Sequence, residues 1–170
     1  MRREPHPLWD FSLRVYQRDG VQKACLALQD SMGVDVNVLL FCCWAGLVET
    51  EPLGAEELRD AVAAVKELQQ DVISPLRQVR RRLQQALAAV ASEWKQRLRR
   101  QILAVELDGE YVEQLVLREF VSGAPVGHAA EHSRAVAARN LESYFALLGR
   151  VPDEECRGNI ETLLDGAVSG

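Results

Sequence analysis

Apolar residues recur every three to four positions along almost the whole chain, the spacing that gathers them on one face of an α-helix. Leu8, Phe11, Val15 and Tyr16 form the first stripe, and Asp19-Gly20 ends it. Asp19, with Gln22 three residues on, reads as a weak capping box for a second helix that carries Val21, Cys25, Leu26 and Leu28. Gly33 supplies the left-handed position that closes that helix. Asp35 then caps a third helix starting near Val36. From Val38 to Trp44 no side chain is polar apart from two thiols. A helix apolar on every side is a buried one, and this run is far shorter than the roughly 20 residues that span a bilayer.

After Trp44 the pattern is simpler. Gly46 to Gly54 is a connection, and a helix follows from Ala55 to about Ile73 with Leu58, Val62, Val65 and Val72 on its apolar side. Ser74-Pro75 marks a helix boundary or a strong kink, because the residue before proline is biased away from the α region. The next stripe runs through Leu76, Val79, Leu83, Leu87 and Val90 and continues through Trp94, Leu98, Ile102, Val105 and Val112. Gly109 weakens its middle by about 1 kcal/mol. Either the chain turns near Ala91-Ser92 and folds back, or one helix runs on to about Phe120. A continuous helix would be roughly 70 Å long, overhanging a domain whose radius of gyration is about 15–16 Å. The alanine-rich stretch before Ser92 contains no Pro or Gly to force a turn, which favours a projecting, self-associating helix over residues 75–121. A loop at 122–127, a helix from about Ala129 to Leu148 and a short last helix after Pro152-Asp153 complete the chain. No strand-like alternation or fixed-period repeat occurs. The expectation is one all-α domain over residues 1–170: an irregular helical bundle, with a compact N-terminal three-helix core followed by long amphipathic helices.

Composition narrows the partners. The chain is 48% hydrophobic and 26% charged, with a net charge of −5, the balance of a globular protein and not of a general nucleic-acid binder. MRREPHP has no apolar core of a secretory signal. Four cysteines, Cys25, Cys42, Cys43 and Cys156, lack paired metal-ligand spacing, and the reading is a reducing, cytoplasmic compartment. Arginine and lysine crowd residues 77–100, flanked on both sides by acidic runs. Such blocks read first as oppositely charged helices folding together or as a solvated face. The sharper reading is a docking surface of Arg77, Arg80, Arg81, Trp94 and Leu98 for a protein partner or a second copy. Trp94 alone offers a base-stacking ring there, which argues against single-stranded nucleic acid.

Three further patterns bear on chemistry. Asp10, Asp35 and Asn37 lie near Trp9, Tyr16 and Trp44. They read as caps and buried hydrogen bonds, or as a polar pocket floored by aromatics. His128-Ala-Ala-Glu131-His132 matches the pattern of inverted zinc proteases, but about forty remaining residues cannot hold that fold, and the stretch reads as an exposed helix start with no metal. Glu106, Glu110 and Glu113 form a carboxylate stripe that reads as an exposed acidic face. No phosphate loop, nucleophile elbow or dinucleotide fingerprint is present, so nothing identifies an enzyme or implies a cofactor.

The stretch LWDFSLRVYQRDGVQKACLALQDSMGVDVNVLLFCCWAG, together with DVISPLRQVRRRL and LRRQILAVELDGEYVEQ, resembles a family of short conserved hypothetical bacterial proteins with a domain of unknown function. The resemblance extends from about Leu8 to Leu148 and implies a soluble, mostly helical bacterial protein without an assigned activity. Two functions are carried forward: a non-enzymatic interaction or adaptor module, and a small-ligand-binding protein or enzyme with its pocket between the N-terminal helices.

Overall fold

The computed structural model describes residues 4–85, 92–122 and 129–169. Its helices are α1 (Pro7–Tyr16), α2 (Val21–Met32), α3 (Val36–Val48), α4 (Ala55–Glu67), α5 (Ser74–Gln85), α6 (Ser92–Arg118), α7 (Ala130–Leu147) and α8 (Glu154–Val168), with a π-helical segment, Leu68–Ile73, between α4 and α5. No strand occurs among the described residues, so the all-α expectation holds.

The apolar helix α3 lies at the centre, with nearly every residue buried. Its most extensive neighbour is α7, while α2 packs mainly on α8. The core is therefore not closed by the three N-terminal helices alone. A helix apolar all round has to be covered all round, and α7 supplies Val136, Leu141, Tyr144 and Phe145 for that purpose. Gly46 permits the approach: a Cβ there would lie 2.6 Å from the backbone nitrogen of Ala137.

The helix ends divide between expectation and correction. Asp35 caps α3, its Oδ1 accepting from the Asn37 N–H at 2.8 Å. Gly33 closes α2 in the left-handed region. Asp19, however, does not cap α2: Gly20 holds that position at φ 79°, without a side-chain bond. Ser74-Pro75 does mark a boundary, where the π segment gives way to α5, but the backbone stays helical across it. Ser74 is itself helical, at φ −60° and ψ −44°, and its N–H reaches back five residues to the Gln69 carbonyl. The widened π turn accommodates the proline ring and its missing donor inside a rod that runs unbroken from α4 into α5.

The single 75–121 helix is not what forms. Arg77 pairs with Glu106 and Glu110, and Arg80 with Glu106, so α5 and α6 lie antiparallel as a hairpin. Residues 86–91, which include the expected break near Ala91, lie outside the described residues. Opposite charge and close packing hold the hairpin together. A Cβ on Gly109 would sit 3.0 Å from Ile73 Cγ1, so the glycine seats the buried Ile73 of the π segment against α6.

Candidate functional site

The hairpin closes against α1, α2 and α3 and leaves a cleft of about 490 Å³ between them. Its wall takes Trp9, Ser12 and Tyr16 from α1, Asn37 and Leu40 from α3, Arg77 and Arg80 from α5, and Glu106, Glu110 and Gln114 from α6. The volume lies within the range of small-molecule sites, and apolar walls with a few placed polar groups are their usual make-up.

The polar groups form two connected sets. In the first, Asn37 Nδ2 donates to Glu113 Oε2 at 2.6 Å and Gln114 Nε2 donates to Asn37 Oδ1 at 2.7 Å. All three side chains are buried. Burial pushes the Glu113 carboxyl well above the usual carboxylate range, and the neighbouring Asp35 pushes it further, against the hydrogen bond from Asn37. Asp35 is in turn anchored by its own backbone N–H, which donates to Tyr144 Oη at 3.0 Å. Two atoms on the cleft wall have no hydrogen-bond partner from the protein: Ser12 Oγ and Gln114 Oε1.

The second set is ionic. Arg80 grips Glu106 with Nε at 2.5 Å and Nη2 at 3.0 Å. Arg77 adds Nε to Glu106 at 3.0 Å and Nη2 to Glu110 at 2.6 Å. Burial acts to raise Glu106, but the hydrogen bonds from Arg80 and Arg77 outweigh it and hold the carboxylate below its ordinary range. For Glu110 burial prevails over Arg77, and its carboxyl is raised. On α1, burial pushes the Tyr16 phenol up to about 12.

A family model described as "Protein of unknown function (DUF2390)" matches residues 7–117, more than half of the chain. The chain belongs to that family. No curated protein and no solved structure matches it. The DUF2390 match takes in α1 to α6 and so every residue of the cleft wall, and it stops short of α7 and α8, which complete the core.

The pocket residues read from the DUF2390 sequence are only partly brought together. Trp9, Tyr16 and Asn37 line the cleft, with Trp9 edge-on to Tyr111 at 5.5 Å between centroids. Asp35 sits behind the wall, bonded to the backbone of Asn37. Asp10 stays in the first turn of α1 and is not on the wall. Trp44 is buried in the core with the Arg118 guanidinium 5.5 Å over its ring, away from the cleft.

The basic surface also splits. Arg77 and Arg80 turn inward onto carboxylates, whereas Arg81 is exposed, 3.6 Å from Asp30. Trp94 is 57% exposed and Leu98 43%, with Arg97 lying 5.3 Å over the indole. The carboxylate stripe is not an exposed acidic face: Glu106 is 2% exposed and Glu113 0%, because the fold-back lays α5 and α3 over it. Ser12, Glu113 and Gln114 join the site without having stood out in sequence as members of a pocket.

His128 lies outside the described residues, and His132 hydrogen-bonds the Thr50 carbonyl at 3.0 Å. Among the described residues no cluster of His, Cys, Asp or Glu is placed to hold a metal ion. A larger groove of about 610 Å³ runs between α7 and α8. None of the unpartnered buried polar atoms lies on it, so the smaller cleft is the better candidate.

Proposed function

We propose that the protein binds a small polar molecule in the cleft between its N-terminal helices and the α5–α6 hairpin. The observation that carries this reading is that Ser12 and Gln114 line the cleft while Ser12 Oγ and Gln114 Oε1, just beneath its surface, are buried without a partner from the protein. Each such atom costs about 1–3 kcal/mol if left unsatisfied, and folding alone has no use for it. A reducing, cytoplasmic setting in a bacterium fits the reading. The thiols Cys25, Cys42, Cys43 and Cys156 are all free and buried, and no helix among the described residues is long and apolar enough to cross a membrane. An NMR fragment screen tests the cleft. Hits are expected to shift backbone resonances of α1, α3 and α6, and Leu103→Trp, which fills the mouth of the cleft, is expected to abolish them while leaving the helical circular dichroism unchanged. Hits that bind Leu103→Trp as well as wild type overturn the proposal.

A second reading, an interaction or adaptor role through self-association or a protein partner, draws support from the other side of the hairpin. Trp94, Leu98, Val105 and Val112 recur at spacings of four and seven on α6, roughly opposite the side that meets the cleft, and all are exposed, Val105 at 53% and Val112 at 46%. Exposed apolar stripes of this kind mark contact surfaces. Sedimentation equilibrium at tens of micromolar protein is expected to show a dimer that Leu98→Glu splits into folded monomers; a strict monomer in both proteins removes self-association from this reading.

A further inference from the structure

We infer that the exposed apolar side of the α5–α6 hairpin is covered by a second copy of this chain, laid on it antiparallel by a two-fold axis that crosses α6 near Gln101; this rests on the self-association reading above. The hairpin has two broad sides. One lines the cleft, through Arg77, Arg80 and Arg81 of α5 and Leu103, Leu107 and Gln114 of α6. On the other, the stripe of α6 does not stand alone: Val72 of the π segment and Val79 of α5 are also exposed and take no part in the cleft wall. Arg77 and Arg80 on Glu106, with Ile73 against Gly109, fix the register of the hairpin. That register sets Val72 level with Val112 and Val79 level with Val105, and helical spacing turns these four valines, Trp94 and Leu98 to the same side.

Extent and charge identify the occupant. From Trp94 to Val112 the face is roughly 27 Å long, and two packed helices make it roughly 20 Å wide. Its flat footprint of roughly 540 Å² is on the scale of the about 800 Å² of accessible surface that each partner gives to a standard interface. The exposed charged residues of α6 from Trp94 to Gln101 are Arg97, Arg99 and Arg100, and from Ile102 to Val112 there is Asp108. Alongside them, Arg82 and Asp71 repeat the pattern, both exposed. Two-fold symmetry can lay such a face on its copy in two ways. An axis along the helices stacks α6 on the partner's α5 and brings the two basic ends together. An axis across the helices sets α6 antiparallel on the partner's α6, and each basic half meets an acidic half. Facing like charges disfavour binding and opposite ones set register, so charge selects the second arrangement. Leu98 of each copy then lies near Val105 of the other, Trp94 near Val112 and Arg97 near Asp108. The cleft is on the opposite side of the hairpin and stays open in both copies.

The test uses the full chain and its single variants. In sedimentation equilibrium at tens of micromolar protein, wild type is expected to dimerise, with a dissociation constant that rises about tenfold as sodium chloride is raised from about 0.05 to about 0.5 M. Val79→Gln, which leaves every charge in place, is expected to weaken the dimer about tenfold. Under mild oxidation Gln101→Cys is expected to form a disulfide between copies. Val112→Cys is expected to form none, because its two copies stand roughly 30 Å apart and a disulfide needs Cα atoms about 4.4–6.8 Å apart. The four native thiols are buried and stay out of the reaction. A strict monomer overturns this inference and self-association together. A dimer in which Val112→Cys links, or Gln101→Cys does not, keeps self-association and overturns the antiparallel arrangement. A dimer that Val79→Gln leaves as tight as wild type overturns the two-helix face, and one that salt does not weaken overturns the charge match; either result sinks the inference and leaves self-association standing.

Discussion

Asn140 and Asn37 are both buried asparagines that bond across helices, and they end in opposite conditions. Asn140, on α7, accepts from the Leu53 N–H at 2.8 Å and donates to the Cys42 carbonyl at 3.1 Å. It ties the loop after α3 and the backbone of α3 itself to α7, and neither Asn140 nor its side-chain contacts leave an unpartnered atom. Asn37, on α3, also uses both ends of its amide, but its partners do not close the network. Beyond it, Gln114 Oε1 remains without a hydrogen-bond partner, and Gln114 lines the cleft. A closed buried network fixes architecture; one that stops at a cavity wall offers its loose ends to something else.

The contrast is broken most directly at Asn140. Asn140→Leu keeps the approximate volume but strands a buried N–H and a buried carbonyl, and it is expected to cost about 2–4 kcal/mol. Guanidinium denaturation measures this. A cost below about 1 kcal/mol would mean that the two backbone groups find other partners easily, and the distinction between a closed and an open network would lose its physical basis.

What could be read along the chain was what local chemistry decides. The apolar run from Val38 to Trp44 needed no neighbour to be identified as a buried helix, and Asp35 caps α3 through a bond only two residues long. Ser74-Pro75 carried a true signal of disturbance, but its outcome, a π turn and not an end, depends on α6 packing across the junction through Gly109 and Ile73. The cleft was legible only in fragments. Trp9, Tyr16 and Asn37 belong to the stretch that stood out as aromatic and polar. Glu106 and Glu113 were visible as a stripe, yet their burial depends on Arg77, Arg80 and Asn37, which lie 26–76 residues away and arrive only when the hairpin closes. Ser12 and Gln114 are ordinary polar residues on amphipathic helices, and nothing local marks them as unsatisfied.

The open network is sharpened, with a smaller expected effect, by its response to pH. Burial, reinforced by Asp35, raises the Glu113 carboxyl from its ordinary value of 4.5, so the folded protein keeps a proton that the unfolded chain releases. The folded state therefore binds more protons than the unfolded state above pH 4.5, and the contribution of Glu113 to stability is fully present below that pH and is lost as pH rises toward the folded value. Each unit of that interval is worth at most about 1.4 kcal/mol. Glu110, raised by burial, acts in the same direction. Glu106, held low by Arg80 and Arg77 against burial, acts in the opposite sense, and its contribution is lost only as pH falls below the ordinary carboxylate range. Glu113→Gln replaces a neutral acid by a neutral amide: its carbonyl still accepts from Asn37, and its N–H still offers a donor toward Asp35. The variant is expected to match wild type within about 1 kcal/mol at pH 5 and to exceed it by about 1–2 kcal/mol at pH 8, because its unfolded chain has no carboxyl at this position to gain free energy by releasing a proton. Urea denaturation of both proteins at pH 5, 6, 7 and 8 isolates the difference from every other titrating group. Parallel stability curves would mean that Glu113 is already ionised in the fold. The network would then hold a buried charge on Asn37 and Asp35 would face it, which would make this corner of the site far more costly than its geometry allows.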